Sequence, residues 1–275
     1  MTQQPGEQDV GPPSISGFES AHRALPTFII IGAQKSATRW LKTNLGNHRN
    51  VFVAPGEPEF FNHHFHRGAE WYRSHFGGAG GAVALGEATP GYMMWGEGPG
   101  TIAARIRDVV PEVRLLAILR NPVDRAISAF RHHKRKGRIT QERTLDQHVR
   151  SVRSENDPLS VVSAGWYAAS LQQYWQVFGQ QLKVLFTDDI AGRCEAVFEE
   201  AMDHIGVAPD EKPASLRETL FSNRFEQAGA EIPLGGADDE VGSLTRRDLW
   251  AYFEDDVREL EALTGRDLSC WRDGW

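Results

Sequence analysis

The chain has 275 residues, of which 40% are hydrophobic and 24% charged. This composition excludes general disorder and predicts one large domain, residues 27–275, behind a flexible leader at residues 1–26 that is rich in Gln, Gly, Pro and Ser. The net charge of −7 excludes a surface built throughout to hold nucleic acid, because such a surface would be basic.

The leader lacks the basic start and the continuous apolar stretch of a signal peptide. The strongest apolar runs, Phe28 to Ile31 and Leu115 to Leu119, are far shorter than the roughly 20 residues of a membrane-spanning helix. Cys194 and Cys270 have no Cys or His neighbours at metal-ligand spacing, which argues against a zinc site and a disulfide scaffold. We therefore expect a cytoplasmic protein without a membrane span.

Short apolar runs alternate with longer segments of helical period along the chain. The runs predict strands at 27–31, 82–85, 113–119 and 182–186, and the longer segments predict helices at 38–47, 101–110, 123–136, 164–178 and 193–205. Because strands and helices alternate, we expect an α/β fold in three layers, with a central parallel sheet flanked by helices.

The alternating pattern fails from Phe221 to Gly242. Several Gly, acidic residues and Pro233 predict a long loop there, of the kind that closes over a ligand. A final helix, capped by Ser243, is predicted after the loop. Its apolar stripe is interpreted as core packing and consists of Leu249, Trp250, Phe253, Val257 and Leu260.

The first predicted strand runs into a polar loop, Gly32 to Thr38, and then directly into a helix. Backbone N–H groups, the helix dipole, the Lys35 amine and the hydroxyls of Ser36 and Thr38 can all meet a phosphate there. The pattern predicts a P-loop-like phosphate site, although a plain strand-to-helix turn with a solvent-facing lysine would also produce it. Gln34 stands where G-x-x-x-x-G-K-[ST] has its second Gly, which weakens an ATPase interpretation.

A second anion site is predicted where the strand at 113–119 ends in Arg120-Asn121-Pro122 and a helix carrying Ser128 follows. Open α/β sheets bind ligands at the carboxyl ends of their strands, so Arg120 and Ser128 can face one crevice. A guanidinium gives a phosphate two parallel donors, and a hydroxyl adds a third. The nearby basic run, Arg131 to Lys136, is interpreted as a solvated helix face or an acceptor-side rim.

These segments, IIIGAQKSAT and ILRNPVDRAISAF, resemble the 5′-phosphosulfate and 3′-phosphate loops of sulfotransferases that use 3′-phosphoadenosine-5′-phosphosulfate (PAPS). The resemblance is strongest to the heparan sulfate O- and N-sulfotransferases and their soluble bacterial relatives. Glu57 to Phe61, Gly86 to Tyr92 and Gly165 to Tyr174 resemble further elements of that branch. The resemblance thus covers the chain from about Thr27 to the last Trp.

The resemblance implies a role for each matching residue. Lys35 would contact the sulfated 5′-phosphate and the bridging oxygen, and Glu57 would take the proton of the acceptor hydroxyl. The residues implied in donor binding are Lys35, Ser36, Ala37, Thr38, Arg39, Trp40, Arg120 and Ser128. Trp40, Arg39 and the loop near Asn223 and Arg224 are the candidates for contact with adenine. No metal is expected, because Lys, Arg and backbone dipoles would carry the electrostatics.

The sequence departs from the branch on the acceptor side. Glu59 stands where those enzymes often have His, and Ala88 where they have Lys, so the second basic contribution is missing or supplied from elsewhere. A free Glu is a poor base, so we expect partial burial or Glu59 to raise the pKa of Glu57, offset by Lys35. The histidines that could assist Glu57, but that are interpreted as surface residues, are His63, His64 and His66.

The leading hypothesis is therefore transfer of a sulfuryl group from PAPS to a hydroxyl on a small molecule or glycan. The acceptor would be a secondary metabolite or a glycoconjugate precursor in a bacterium. Two alternatives stay open: a P-loop nucleotide or small-molecule kinase, and a non-catalytic nucleotide-binding module. The sequence leaves Tyr167 open between a core role and a site role.

Overall fold

The structure is a computed structural model that describes residues 25–94, 98–152, 157–217 and 246–272. The leader up to residue 24 lies outside the described residues, and so do the predicted loop at 221–242 and the Ser243 cap. Within the described ranges, no helix is both long enough and apolar enough to cross a membrane.

Five parallel strands form the central sheet in the order β2-β3-β1-β4-β5. Their bounds are β1 Phe28–Gly32, β2 Val51–Val53, β3 Ala84–Ala88, β4 Arg114–Leu119 and β5 Leu182–Phe186. The predictions for β1, β4 and β5 are confirmed to within one residue, because these strands are nearly continuous apolar runs, and β1 and most of β4 are buried on both faces. The strand predicted at 82–85 lies two to three residues later, and the three-residue β2 was not predicted.

Nine α-helices of the described residues pack around the sheet. They are α1 Thr38–Gly46, α2 Gly68–Arg73, α3 Pro99–Val109, α4 Pro122–Arg135, α5 Leu145–Ser151, α6 Tyr167–Phe178, α7 Thr187–Ile205, α8 Arg246–Trp250 and α9 Glu254–Thr264. The helix predicted at 193–205 begins earlier, at Thr187, and is interrupted by non-helical backbone at Arg193.

Alternation along the central strands divides the core into two layers. Ile29 and Ile31 of β1 pack with α3, α4, α6 and α9, whereas Phe28 and Ile30 pack with α1 and α7. Successive strand side chains point to opposite faces, so one strand supplies both layers. The expected three-layer α/β fold is therefore confirmed.

The single final helix predicted after residue 243 is wrong, because the chain turns at residues 251–253 and forms α8 and α9 instead. Phe253 donates its N–H to the Trp250 carbonyl (2.8 Å), and both side chains enter the core. The acidic run that follows, Glu254 to Asp256, marks a new helix start, since carboxylates are favoured at helix N-termini. Asp256 also accepts hydrogen bonds from the first N–H groups of α6.

Two glycines allow close packing around the strand that leads into the predicted phosphate loop. Gly86 pairs with Phe28 in the β1–β3 register, and a Cβ at Gly86 would lie 2.1 Å from the Phe28 ring. Gly32 ends β1 against Met93, whose Sδ would lie 2.8 Å from a Cβ at this position. Larger side chains at either position would displace the strand that leads into the loop.

Candidate active site

The loop from Gly32 to Thr38 joins the carboxyl end of β1 to the first turn of α1. Lys35 and Ala37 have positive φ angles of 68° and 63°, a conformation that few non-glycine residues adopt and that clusters at functional sites. Ala37, at the cap position of α1, places no side-chain oxygen on the helix N-terminus. The first N–H groups of α1 are therefore left for an anion.

Two polar side-chain atoms of this loop are buried without a hydrogen-bond partner. Ser36 is 0% exposed and lies beside the Tyr167 hydroxyl, yet its Oγ has no partner at hydrogen-bond geometry. The Gln34 Oε1 is in the same condition. A buried polar atom without a hydrogen bond costs free energy, so the loop is better satisfied with a polar ligand present.

The charge around Lys35 is strongly positive. Burial, together with the positive charges of Arg135, Arg120 and Arg125, lowers the pKa of Lys35 to about 8. The positive charge of the second predicted anion site therefore acts directly on the first. Such a cluster of cations favours binding of a ligand with more than one negative charge.

The second anion site lies where β4 ends and α4 begins. Asn121 caps α4 by accepting the Val123 N–H (3.0 Å) and donates its amide to the Trp271 carbonyl (2.8 Å). These bonds fix the turn that carries Arg120. Burial lowers the pKa of Arg120, and Ser128 is 8% exposed on the first turns of α4. The structure thus brings Lys35 and Arg120 within electrostatic reach of each other.

Tyr167 combines the two roles that the sequence left open. Its ring is 1% exposed and contacts Trp271, while its hydroxyl donates to the Arg120 carbonyl (2.9 Å). Burial raises the pKa of Tyr167 to about 12, so the hydroxyl keeps its proton at neutral pH. Tyr167 is therefore a core residue that also supports the Arg120 backbone.

Arg125 is a functional candidate that the sequence analysis missed. It is 0% exposed, donates to the carbonyls of Ser160 and Val161, and adds positive charge to the surroundings of Lys35. A signal was available, because Arg125 stands three residues before Ser128 and so lies on the same side of α4.

The basic run Arg131 to Lys136 is only partly the solvated face that we expected. Arg135 is exposed, but His133 and Lys134 are 2% and 5% exposed. Burial and the charge of Lys35 lower the pKa of His132 to about 4, so this imidazole is neutral at physiological pH. The middle of the run packs into the protein because the buried side of α4 continues through it.

The acidic segment Glu57 to Phe61 follows β2 and leads into a π-helical turn, Phe60–His64. Glu59 has a positive φ of 50°, and its N–H donates to Thr89 Oγ1 (3.3 Å). The Phe61 N–H donates to the Tyr92 hydroxyl (3.4 Å). Two hydroxyl groups that follow β3 therefore hold the backbone of this segment.

Both hydroxyl groups donate hydrogen bonds to one buried carboxylate, that of Glu87 in β3. Thr89, Tyr72 and Tyr92 donate to Glu87 over 2.6, 2.7 and 2.9 Å. Burial raises the pKa of Glu87, and the three hydrogen bonds oppose that rise. The sequence marked Glu87 only as part of a motif, because its role depends on contacts between separate segments.

Glu57 lies at the surface, with its carboxylate partly desolvated. Burial raises the pKa of Glu57, the negative charge of Glu59 raises it further, and the positive charge of Lys42 lowers it. Both expected causes of a raised Glu57 pKa, partial burial and the charge of Glu59, are therefore present. The expectation that Lys35 supplies the opposing charge is wrong, because the opposing charge comes from Lys42 on α1.

The remaining candidates from the sequence, for adenine contact and for assistance to Glu57, differ in their exposure. Trp40 is 2% exposed in the core, and its indole N–H donates to the Leu216 carbonyl (3.1 Å), so its ring is not available to stack on adenine. Arg39, the residue before Trp40, is exposed. The adenine candidates Asn223 and Arg224 lie outside the described residues. Among the histidines after Phe61, His63 and His66 are exposed and His64 is half-buried beside Trp71. These positions agree with their interpretation as surface residues.

Among the described side chains, no group of three or more His, Cys, Asp or Glu is arranged to hold a metal ion. The site instead has a cationic part, around Lys35 and Arg120, and an acidic part, around Glu57 and Glu87. This arrangement can bind an anion at one end and accept a proton at the other.

Comparison with known proteins places this site in a family. A model of the sulfotransferase domain matches residues 25–222. The mouse heparan sulfate glucosamine 3-O-sulfotransferase 3B1 is 32% identical over 186 residues, which cover 66% of this chain and 47% of that enzyme. The human heparan sulfate glucosamine 3-O-sulfotransferase 6 is 36% identical over 120 residues, 44% of this chain and 33% of that enzyme. The chain thus spans less than half the length of these relatives.

Solved structures agree on the fold. The crystal structure of a sulfotransferase from Alicyclobacillus acidocaldarius is 30% identical, with a TM-score of 0.72 over 90% of this chain and 99% of that one. A mouse sulfotransferase, SULT7A1, complexed with PAP, has a TM-score of 0.54 over 93% of this chain and 91% of that one; at 13% identity it supports the fold alone. Because the domain match covers well over half of its residues, the chain belongs to the sulfotransferase family.

Proposed function

We propose that this protein transfers a sulfuryl group from PAPS to an acceptor hydroxyl. The observation that carries the proposal is the positive charge around Lys35, where burial and three arginines lower the pKa of the amine to about 8. PAPS presents a phosphosulfate and a separate 3′-phosphate, and the two anion-binding loops match that pair of charged groups. Membership of the sulfotransferase family does not favour the kinase or the non-catalytic alternative.

The residues of the donor side fit PAPS in kind. The buried, unpartnered Ser36 hydroxyl and the uncapped N-terminus of α1 suit the phosphosulfate end. Arg120 and Ser128 at the β4–α4 junction suit the 3′-phosphate. The proposed donor contacts are Lys35, Ser36, Ala37, Thr38, Arg39, Arg120 and Ser128. We leave Trp40 out because its ring lies in the core.

The proposed chemistry is an in-line displacement at sulfur. As the acceptor oxygen attacks, Glu57 takes its proton, and the bond between sulfur and the bridging phosphate oxygen breaks. Lys35 neutralises the negative charge that develops on that oxygen. The products are a sulfate ester and adenosine 3′,5′-bisphosphate (PAP), and Glu57 returns the proton to water. We keep the expectation that no metal takes part, since Lys35, Arg120 and the α1 dipole supply positive charge.

The acceptor in this proposal is a hydroxyl on a small molecule or a glycan. Glucosamine of heparan sulfate is the acceptor in the names of the mouse and human relatives. Glu59 and Ala88 are the two positions at which this sequence departs from its resemblance to that branch. Within that class, we propose a secondary metabolite or a glycoconjugate precursor that the protein meets in the bacterial cytoplasm.

Transfer of radiolabelled sulfate from PAPS to a panel of phenols, sugars and heparan oligosaccharides tests the proposal. We expect a mass gain of one sulfate in at least one acceptor, and loss of that transfer in Lys35→Ala. Full transfer by Lys35→Ala would overturn the donor assignment. Magnesium-dependent ATP binding would favour a kinase, and PAP binding without transfer across the panel would favour a non-catalytic module.

A further inference from the structure

Lys42 joins the donor side of the site to the acidic segment. It lies on α1, one helical turn after Thr38, so the helix that begins at the phosphate loop also carries this amine. The Lys42 amine donates to the carbonyl of Gly56, the residue immediately before Glu57. Gly56 has a positive φ of 69°, which a glycine adopts without strain. The backbone leading to Glu57 is therefore tied to α1.

The charge of Lys42 acts on two carboxylates of the site. It lowers the pKa of Glu57, which burial and Glu59 raise, and it also lowers the pKa of the buried Glu87. In the described part of the chain, Glu59 from the same segment and Lys42 from α1 are the charged groups that act on Glu57. The lysine thus supplies the positive charge at the acidic end of the site.

Neighbouring strand residues do not supply a cation at this point. β3 ends in Ala88, which is 3% exposed and apolar, and Lys35 interacts with the arginines of the donor side instead. A carboxylate that must be ionised before it can accept a proton benefits from one fixed positive charge nearby. A hydrogen bond to the adjacent backbone also holds that carboxylate in a constant position.

We propose that Lys42 is a positioning residue for Glu57, holding the backbone at Gly56 and keeping the carboxylate ionised until the acceptor hydroxyl arrives. This inference rests on the proposed function, in which Glu57 is the base. It also couples the two halves of the site, because a shift of α1 at the donor loop would move Lys42 and Glu57 together.

Lys42→Met tests the charge, and Lys42→Arg is the conservative variant. Loss of the positive charge raises the pKa of Glu57, so the acid limb of kcat/KM moves to higher pH. Because the carboxylate is also less well held, kcat/KM falls by about ten- to a hundredfold at a pH below neutrality. Lys42→Arg keeps the charge and restores the position of the acid limb. A mere loss of folding stability would lower activity without moving this limb.

Lys183→Met is the matched control, because Lys183, like Lys42, is a partly exposed lysine whose charge acts on a glutamate. It lies near the amino end of β5, away from the carboxyl edge that carries the site, and pairs with Glu200 over 3.1 Å. We expect Lys183→Met to leave the acid limb and the transfer rate unchanged. An equal shift in this control would show a general charge effect and would overturn the inference.

The decisive measurement is the titration of Glu57 by NMR with isotope-labelled glutamate side chains, assigned by comparison with Glu57→Gln. It needs no acceptor, so it separates this inference from the proposed function, which PAP calorimetry and sulfate transfer test. The inference is supported if the pKa of Glu57 rises in Lys42→Met but not in Lys42→Arg or Lys183→Met. A Glu57 titration identical in Lys42→Met and the wild type overturns it, whether or not sulfate transfer is found.

Discussion

The donor and acceptor sides of the site differ in charge and in the way that they are held. On the donor side, the cations Lys35, Arg120 and Arg125 converge on a strained loop with unpartnered polar atoms. On the acceptor side, Glu57 begins a segment whose backbone is held by the hydroxyls of Thr89 and Tyr92, and both hydroxyls donate to the buried Glu87. The donor loop thus has buried polar atoms without hydrogen-bond partners, whereas the buried carboxylate of the acceptor side accepts three hydrogen bonds from the protein.

This difference matches the charges that the proposed reaction develops. Negative charge appears on the leaving phosphate, where the cations are, and a proton leaves the acceptor, where the carboxylates are. Separation of the two groups prevents Lys35 from neutralising Glu57 in a direct ion pair. Mutations on the two sides should therefore affect different kinetic quantities, donor affinity on one and turnover on the other.

Glu57→Gln is expected to have the largest effect. It removes the base while keeping the size and polarity of the side chain, so kcat should fall by about 10²- to 10⁴-fold. Donor affinity should not change, because no donor contact is proposed for Glu57. Single-turnover transfer and PAP calorimetry measure the two quantities separately. Unchanged turnover would exclude Glu57 as the base.

Arg120→Ala should give the opposite result. Truncation of a buried arginine that meets a phosphate should weaken PAP binding by about 30- to 1,000-fold, or about 2–4 kcal/mol. Turnover at saturating PAPS should fall much less than in Glu57→Gln. Arg114→Ala is a control, since Arg114 begins β4 at the opposite edge of the sheet and donates to the His204 carbonyl. Equal affinity losses in both variants would contradict a specific role for Arg120.

The sequence predicted the donor side better than the acceptor side for a physical reason. Lys35 and Arg120 each follow a long buried strand, so the apolar run that identifies the strand also places the residue at its carboxyl end. The acidic segment follows a strand of three residues, and its position depends on Lys42, Thr89 and other contacts from distant segments. No local pattern contains such contacts.

The same distinction explains the errors in the fold. The spacing of Trp250, Phe253 and Val257 fits one amphipathic helix, yet it fits equally well two helices whose apolar faces meet across a turn. Trp40 was a candidate for adenine because it stands beside the phosphate loop. Helical periodicity places Trp40 on the buried side of α1 with Leu41 and Leu45, in the core, and this apolar pattern could have predicted its burial.

Thr89→Val should have an intermediate effect. It removes the 2.6 Å bond to Glu87 and the acceptor of the Glu59 N–H, so the free energy of unfolding should fall by about 1–2 kcal/mol. Turnover should fall while PAP affinity stays constant, because the acidic segment loses a support and the donor loop does not. Thr264→Val is a matched control, since it also removes one bond that a hydroxyl donates, to the Leu260 carbonyl, and one that it accepts, from the Arg266 N–H, at the end of α9. Loss of PAP affinity in Thr89→Val would contradict the assignment of Thr89 to the acceptor side alone.

The smallest expected effect is a pH dependence of donor binding that belongs to Lys35. Its pKa of about 8 in the free protein means that the amine is charged below that pH and increasingly neutral above it. An anion favours the ammonium form, so PAP binding above this pKa should take up a proton. PAP affinity should then fall by up to about tenfold for each pH unit. Calorimetry in buffers of different ionisation enthalpy measures the uptake. Lys35→Arg, which stays charged, should show neither the proton uptake nor the fall in affinity. If the wild type and Lys35→Arg take up protons equally, another group is responsible.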